Sequence, residues 1–205
     1  FLQGKGRIMP ARLRLYVAAT TARPDVLQTA LSTSVPAAVR RELLESRWVC
    51  SVPVEELMGE PVLLAELDLR TAPAGVDLDA RATIMTNRHG TLTGVVGWFV
   101  AELADDIELT TAPGAELTHW KQVFFPSPAP QLLDAYSAIE FAVKGSWLGV
   151  GTAWSWSLGA VGQVEQFGVS KSYQSVPSLC DLRLSARGRD LHQRCRIAYN
   201  GVNRG

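Results

Sequence analysis

The residues with the clearest potential for chemistry lie in the stretch LTHWKQVFF, which covers 117–125. His119 and Trp120 stand side by side there, after the turn-rich TTAPGAE and before an alternating run typical of a strand. An imidazole can exchange a proton near neutral pH, and an indole can wall a binding pocket. The residues alone leave a second interpretation open, in which His119 is structural and hydrogen-bonds a loop carbonyl.

Other candidates for metal or nucleophilic chemistry are scattered. His89 lies in the turn TNRHGTL and His192 in a polar C-terminal segment, so both are expected to be solvated. No histidine has a cysteine or carboxylate at metal-ligand spacing, so we predict no metal site. Cys50, Cys180 and Cys195 form no metal-type pair, and their odd number favours buried free thiols in a reducing, cytoplasmic compartment.

Two glycine-containing stretches, GKG near the start and GVGTAWSWSLGAVG, could suggest phosphate binding. Neither follows a strand and opens a helix as a phosphate-binding loop requires, so we predict no nucleotide site. Trp154 and Trp156 are two residues apart and therefore share one face of a strand. A packed aromatic layer is the favoured interpretation, and a ligand-stacking surface is the alternative.

Composition restricts the class of protein. The 205 residues are 47% hydrophobic, and 20 basic residues balance 20 acidic ones. A neutral chain lacks the basic field that holds phosphate backbones, so we predict no nucleic-acid partner. No apolar run reaches the roughly 18–20 residues that cross a bilayer, so we predict no membrane partner. The chain reads as a globular protein that begins inside a longer one.

The elements that must position these residues are mainly strands. RLRLYVAAT (Arg12–Thr20) predicts a half-buried strand, with Leu13, Leu15 and Val17 on the buried face and the two arginines and Tyr16 on the wet face. From residue 61 onward, short strands alternate with the turn signals APAG, NRHG, APG, PSPAP and KGS. This pattern predicts a mainly β fold, an antiparallel β-barrel or sandwich.

One helical insertion interrupts the strands near the N-terminus, over 21–60. Pro36 is well placed in a first helical turn, and Val39, Leu43 and Leu44 follow at helical spacing. RDLHQRCRIAYNGVNRG predicts a C-terminal helical tail within 185–205. We predict a single barrel-like domain over 1–205 that contains both.

Read with its neighbours, the opening stretch resembles the C-terminal half of the protein arginine methyltransferases. In that family a THW loop precedes KQ and an aromatic strand, and Thr118, His119, Trp120, Lys121 and Gln122 match that order.

Two further segments carry the likeness. FLQGKGRIMPARLRLYVAAT resembles the family's junction between the cofactor domain and the barrel, and HGTLTGVVGWFVAELADDIELTTAPGAELTHW resembles the strands before the loop. AWSWSL is similar to a tryptophan-rich strand of bacterial relatives. The resemblance covers roughly 1–164.

The resemblance implies a barrel that helps to bind an arginine-bearing protein substrate. Thr118, His119 and Trp120 would lie at the substrate and domain interface, where His119 would pair with an acidic residue of the cofactor domain and Trp120 would wall the guanidinium pocket. Arg23 to Arg47 occupies the place of the family's dimerisation arm, which implies a homodimer. S-adenosylmethionine is implied for the full-length protein, bound by a domain that this chain lacks.

Glu56 and Glu66 resemble a catalytic pair, but we predict that they are not one. EELMGEPVLLAEL resembles the family's double-glutamate loop through Glu56, Met58, Gly59 and Glu66, but it follows the LQGKGRIMP junction, whereas the family's loop precedes it. The glutamates are also one residue too far apart, and Pro61 interrupts the segment. We therefore predict no complete catalytic set in this chain, which should be inactive alone.

Two other functions remain open at this stage. The barrel could be a non-enzymatic protein-interaction module. It could also bind a small molecule, with Trp98, Trp154 and Trp156 as a stacking wall.

Overall fold

The computed structural model describes residues 6–72, 77–116, 118–147, 152–161 and 165–167. The chain divides into two units, Phe1–Gln174 and Ser175–Gly205, and the second lies outside the described residues. All the elements below belong to the first unit. The predicted C-terminal tail, with His192, Cys180 and Cys195, lies outside the described residues.

The described residues form ten strands and two short α-helices, in keeping with the predicted mainly β fold. The strands are β1 (Arg12–Thr20), β2 (Trp48–Cys50), β3 (Val62–Asp68), β4 (Leu78–Met85), β5 (Gly90–Ala104), β6 (Ile107–Thr110), β7 (Gln122–Leu133), β8 (Ala138–Trp147), β9 (Thr152–Ala160) and β10 (Glu165–Phe167). The helices α1 (Asp25–Leu31) and α2 (Ala37–Leu44) lie between β1 and β2.

The strands form two antiparallel sheets. The first has the order β2-β7-β5-β1-β3, with β6 also paired to β5, and the second has the order β10-β9-β8-β4. Every strand pairing is antiparallel. The predicted class, an antiparallel barrel or sandwich with a helical insertion, is confirmed.

The core lies between the two sheets. Val17, Val95 and Phe125 of the first sheet pack against Phe141 and Trp156 of the second, and all five are almost fully buried. The Phe125 ring lies 5.3 Å from the Phe141 ring and 5.5 Å from the Trp156 ring, in the tilted and edge-on geometries that aromatic pairs prefer. Alternating apolar residues on facing strands supply this layer.

A second cluster covers the outer face of β1 and β5. Ala18, Val52, Val96 and Trp98 are buried there, and Tyr16 stacks on Trp98 with ring centroids 6.2 Å apart. The expectation that Tyr16 lies on a wet face is therefore wrong. That face is exposed to solvent only near the start of β1. There Arg12 and Arg14 form ion pairs with glutamates of β3, β5 and β6.

The insertion 21–60 is helical only in part. Pro24 and Pro36 lie at the N-cap positions, so each helix begins one residue after a proline. Pro36 thus precedes the first helical turn in which the sequence placed it. The rest of the segment contains β2 and a 3-10 turn at Val54–Glu56. The helices bury most of their apolar side chains within this chain.

Two predicted turns are wrong, because PSPAP and KGS lie inside strands. β7 runs through PSPAP, but its pairing with β5 jumps from Gly94↔Pro126 to Leu92↔Gln131. Residues 127–130 form a bulge there, where a proline costs no hydrogen bond to β5. KGS lies inside β8, where Gly145 pairs with Trp154 of β9 and the indole covers it.

None of the helices in the described part of the chain is long and apolar enough to cross a membrane.

Candidate functional site

The loop that carries the THW motif connects β6 to β7 and spans 111–121. A turn at 112–115 opens it, closed by the bond from the Ala115 amide to the Ala112 carbonyl. Gly114 adopts a φ of +81°, which a residue with a Cβ atom rarely adopts. Further along, the Thr118 hydroxyl donates a hydrogen bond to the Trp120 carbonyl over 2.8 Å. The loop therefore has local structure of its own.

Gln122 fixes the end of this loop. Its side chain is 8% exposed and accepts a hydrogen bond from the Val52 amide over 2.9 Å. The side-chain N–H of Gln122 donates in turn to the Thr111 carbonyl over 2.6 Å. One side chain thus joins the first residue of β7, the start of the loop and the segment after β2.

His119 and Trp120 are presented outward. Trp120 is 57% exposed, although one edge of its ring packs on Phe99, with centroids 6.3 Å apart and planes at 71°. His119 is exposed, and no described residue hydrogen-bonds its ring. An indole held from one side and an imidazole without a partner in the described chain can both contact a second surface.

Exposed apolar side chains surround the loop. Val54 packs beside Gly114, and Val49 lies on the edge strand β2, opposite Val123 of β7. Lys121 is exposed next to Trp120. We call Val49, Val54 and residues 119–121 the loop surface. Clustered exposed apolar residues with a cationic group are typical of an interaction site.

The half-buried thiol of Cys50 lies on β2, next to Val49 of this surface. Burial raises its pKa to about 11, against the opposing effect of the nearby Lys121 ammonium. The thiol is therefore protonated at neutral pH and chemically quiet, because the thiolate is the reactive form.

Glu56 and Glu66 are far apart in the structure. The Glu56 carboxylate contacts the Thr21 hydroxyl just beyond the end of β1. Glu66 is paired with Arg12 near the start of β1, with Nε and Oε1 3.4 Å apart. Since β1 is nine residues long and a strand rises about 3.3 Å per residue, the two carboxylates are separated by roughly 20 Å or more. One guanidinium cannot contact both.

Arg88 holds the segment around Glu56 in place through hydrogen bonds. Its guanidinium donates to the Leu57 carbonyl over 2.9 Å, to the Glu55 carbonyl over 3.0 Å and to the Thr21 hydroxyl over 3.1 Å. It holds the 3-10 turn against β1. No sequence pattern indicated this role, because Arg88 stands in an ordinary turn motif.

The tryptophans fit a packed layer better than a stacking wall. Trp156 is 4% exposed, and its indole N–H points to the Pro126 carbonyl over 3.3 Å. Trp98 is also buried, on the opposite face of the first sheet. Trp154 is half-buried. The three rings therefore do not form one surface for a small molecule.

His89 lies in the β4–β5 turn, 3.3 Å from the Asp134 carboxylate, and both side chains are exposed. In the portion of the chain that the structure describes, no group of three or more histidine, cysteine or acidic residues could hold a metal ion.

The architecture defines an antiparallel β-barrel domain with an inserted helical pair and an exposed histidine–tryptophan loop. Residues 30–145, more than half of the chain, match the model of the arginine methyltransferase oligomerization subdomain. The chain therefore belongs to the protein arginine methyltransferase family and contains its C-terminal barrel.

Solved structures support the fold. The chain is similar to a chain of the Trypanosoma brucei PRMT1 enzyme-prozyme heterotetrameric complex with AdoHcy, with a TM-score of 0.64 and 11% identity over 80% of this chain and 57% of that one. It resembles PRMT6 with a TM-score of 0.55 and 19% identity, over 73% of this chain and 55% of the other.

Arabidopsis thaliana protein arginine methyltransferase 10 is similar with a TM-score of 0.53 and 15% identity, over 80% of this chain and 59% of that one. The chain thus spans just over half the length of each of these structures. Among curated proteins, none matches the sequence significantly.

Proposed function

We propose that this chain is the substrate-binding and dimerisation barrel of an S-adenosylmethionine-dependent protein arginine methyltransferase. The match of 30–145 to the family's oligomerization subdomain carries the proposal, since it includes α2, most of the helical insertion and the THW loop. The cofactor domain would be another part of the same protein.

The loop surface is the proposed contact with that domain and with the substrate. His119 is exposed and can donate a hydrogen bond to a carboxylate across a domain interface. Trp120 offers a ring face to the arginine of the substrate, because a guanidinium stacks favourably on an indole. The bonds of Gln122 and Thr118 hold both side chains in place.

The barrel alone should be inactive. A guanidinium has a pKa above about 12, so its activation requires carboxylates that orient it and accept its charge. Glu56 and Glu66 resemble the family's pair, but their separation excludes joint action on one group. The catalytic carboxylates and the S-adenosylmethionine site are therefore assigned to the cofactor domain.

The dimer would use the helical insertion between Arg23 and Arg47. Its apolar side chains are mostly buried within the chain, and Leu31 is the exposed large apolar residue of its two helices. Arg41 and Glu45 form a 2.8 Å ion pair on its surface. A homodimer contact there would be small and partly polar.

The test is methyl transfer by the parent protein that contains this barrel. His119→Ala should lower kcat/KM for an arginine peptide at least about tenfold, equivalent to about 1.4 kcal/mol of transition-state stabilisation. The matched control is His89→Ala, also an exposed histidine, which should retain activity. Thermal unfolding should be the same for both variants. Wild-type turnover by the folded His119→Ala variant would rule out the assigned role.

A further inference from the structure

Arg47 is a half-buried cation that no carboxylate of the described chain neutralises. It lies between α2 and β2, and its guanidinium carbon is 4.9 Å above the ring of Trp154 on β9. Glu45, two residues earlier, is bound to Arg41, and Lys144 on β8 is bound to Asp79 at 2.9 Å. Glu45 and Asp79 therefore have other partners.

The indole beneath Arg47 is held rigidly. On β8, a Cβ atom added to Gly145 would lie 2.8 Å from the Trp154 ring, so the ring rests directly on the strand backbone. The indole N–H donates to the Thr152 hydroxyl over 3.0 Å. Both contacts fix the plane on which the guanidinium stacks.

The backbone of Arg47 is also fixed. The Glu45 amide donates to the Arg41 carbonyl at the end of α2, and the Trp48 indole N–H donates to the Leu43 carbonyl over 2.8 Å. Trp48 itself pairs with Phe124 of β7. Arg47 is thus anchored on both sides in the chain, and its position does not depend on a flexible segment.

Burial lowers the pKa of the Arg47 guanidinium from its ordinary value. The group still remains protonated at neutral pH. Stacking on an indole uses the face of the guanidinium and leaves the N–H groups at its edge. Arg47 is half-buried, and the edge of its guanidinium is a planar set of donors that suits an acceptor with two oxygens.

We propose that Arg47 and Trp154 form a binding site for a carboxylate. The planar edge of the guanidinium matches the two oxygens of a carboxylate, and the indole holds that edge in one orientation. The carboxylate can come from an acidic side chain or from the C-terminus of a peptide. This site involves the second sheet and is separate from His119 and Trp120, so it stands whether or not the proposed function holds.

The experiment is an NMR titration of the whole chain at constant ionic strength, which follows the Arg47 Nε–H and Trp154 indole N–H signals. N-acetylglycine supplies a terminal carboxylate, and the α-amide of N-acetylglutamate supplies a side-chain carboxylate. We expect saturable shifts with at least one probe, with a dissociation constant on the order of millimolar. The stronger probe identifies the source of the ligand.

Arg47→Lys keeps the charge but removes the planar edge, so it should weaken binding at least about tenfold, followed at the Trp154 signal. Arg81→Lys, at an exposed arginine on β4, is the matched control and should bind as the wild type does. Trp154→Phe, followed at the Arg47 signal, tests the stacking and should also weaken binding. Shifts that do not saturate, or that are equal in Arg47→Lys and wild type, would overturn the proposal.

Discussion

Gln122→Met is the substitution for which the structure predicts the clearest cost. Methionine is similar in size but cannot bond the Val52 amide or the Thr111 carbonyl, and both residues are 3% exposed. A buried backbone group left without a partner costs about 1–3 kcal/mol. For two such groups, with some relaxation, we expect a loss of about 2–4 kcal/mol in the free energy of unfolding.

The matched control is Gln131→Met on the same strand. Gln131 is half-buried, and its side chain has no hydrogen-bond partner among the described residues. Its substitution should change stability by less than about 0.5 kcal/mol. Guanidinium chloride unfolding, fitted with a common m-value, measures both differences.

Thermal unfolding provides a second measure, and Gln122→Met should lower Tm by roughly 4–16 °C for a unit of this size. Hydrogen exchange of the Val52 amide should also accelerate, because that group loses its acceptor. If Gln122→Met were as stable as Gln131→Met, with an unchanged Val52 exchange rate, the role of Gln122 in holding the loop would be refuted.

Three further predictions concern the barrel itself. Gly94→Ala should destabilise the protein by about 3 kcal/mol or prevent folding, because the new methyl group would overlap a backbone carbonyl of β7. Gly97→Ala is the control and should be milder, since its new methyl group would have 3.6 Å of clearance. Equal unfolding midpoints for the two variants would contradict this. Cys50, with a pKa raised to about 11, should react with iodoacetamide at pH 8 far more slowly in the native than in the denatured protein, and equal rates by peptide mass spectrometry would refute its burial. Asp68, whose pKa is lowered to about 2 by hydrogen bonds from Arg70, should stabilise the fold above its unfolded pKa and lose that effect as the pH falls towards 2. An NMR titration in which Arg70→Ala leaves the Asp68 pKa unchanged would contradict that cause.

Much of the fold could be predicted, because alternation of apolar and polar residues directly reflects burial on one face. β1 has the predicted bounds, Arg12–Thr20. The alternation fails where both faces are covered, as at Tyr16, which packs on Trp98 beneath the segment that contains Val52. That segment is distant in sequence, and a local pattern carries no information about what covers a strand.

The two wrongly predicted turns have a common physical origin. Proline and glycine usually end a strand, but a bulge between the pairs of Leu92 and Gly94 accommodates PSPAP, and the Trp154 ring takes the space above Gly145. In both cases a residue on a neighbouring strand makes the unusual residue favourable. Pairing between strands decides these positions, and a single-sequence pattern cannot reveal it.

The candidate site could also be predicted only in part. The sequence indicated where His119 and Trp120 lie, since a turn-rich segment followed by an alternating run predicts a loop before a strand. It did not predict the hydrogen bonds of Gln122 or the packing of Trp120 on Phe99. It also missed the contact between Arg47 and Trp154, which are remote in the chain.

The proposed function requires an S-adenosylmethionine-binding domain in the same protein. The most direct test is to determine the coding sequence for about 150 codons upstream of Phe1, a length suited to one domain. The account predicts a strand, a glycine-rich loop and then two glutamates before FLQGKG. A start codon directly upstream of Phe1 would contradict it.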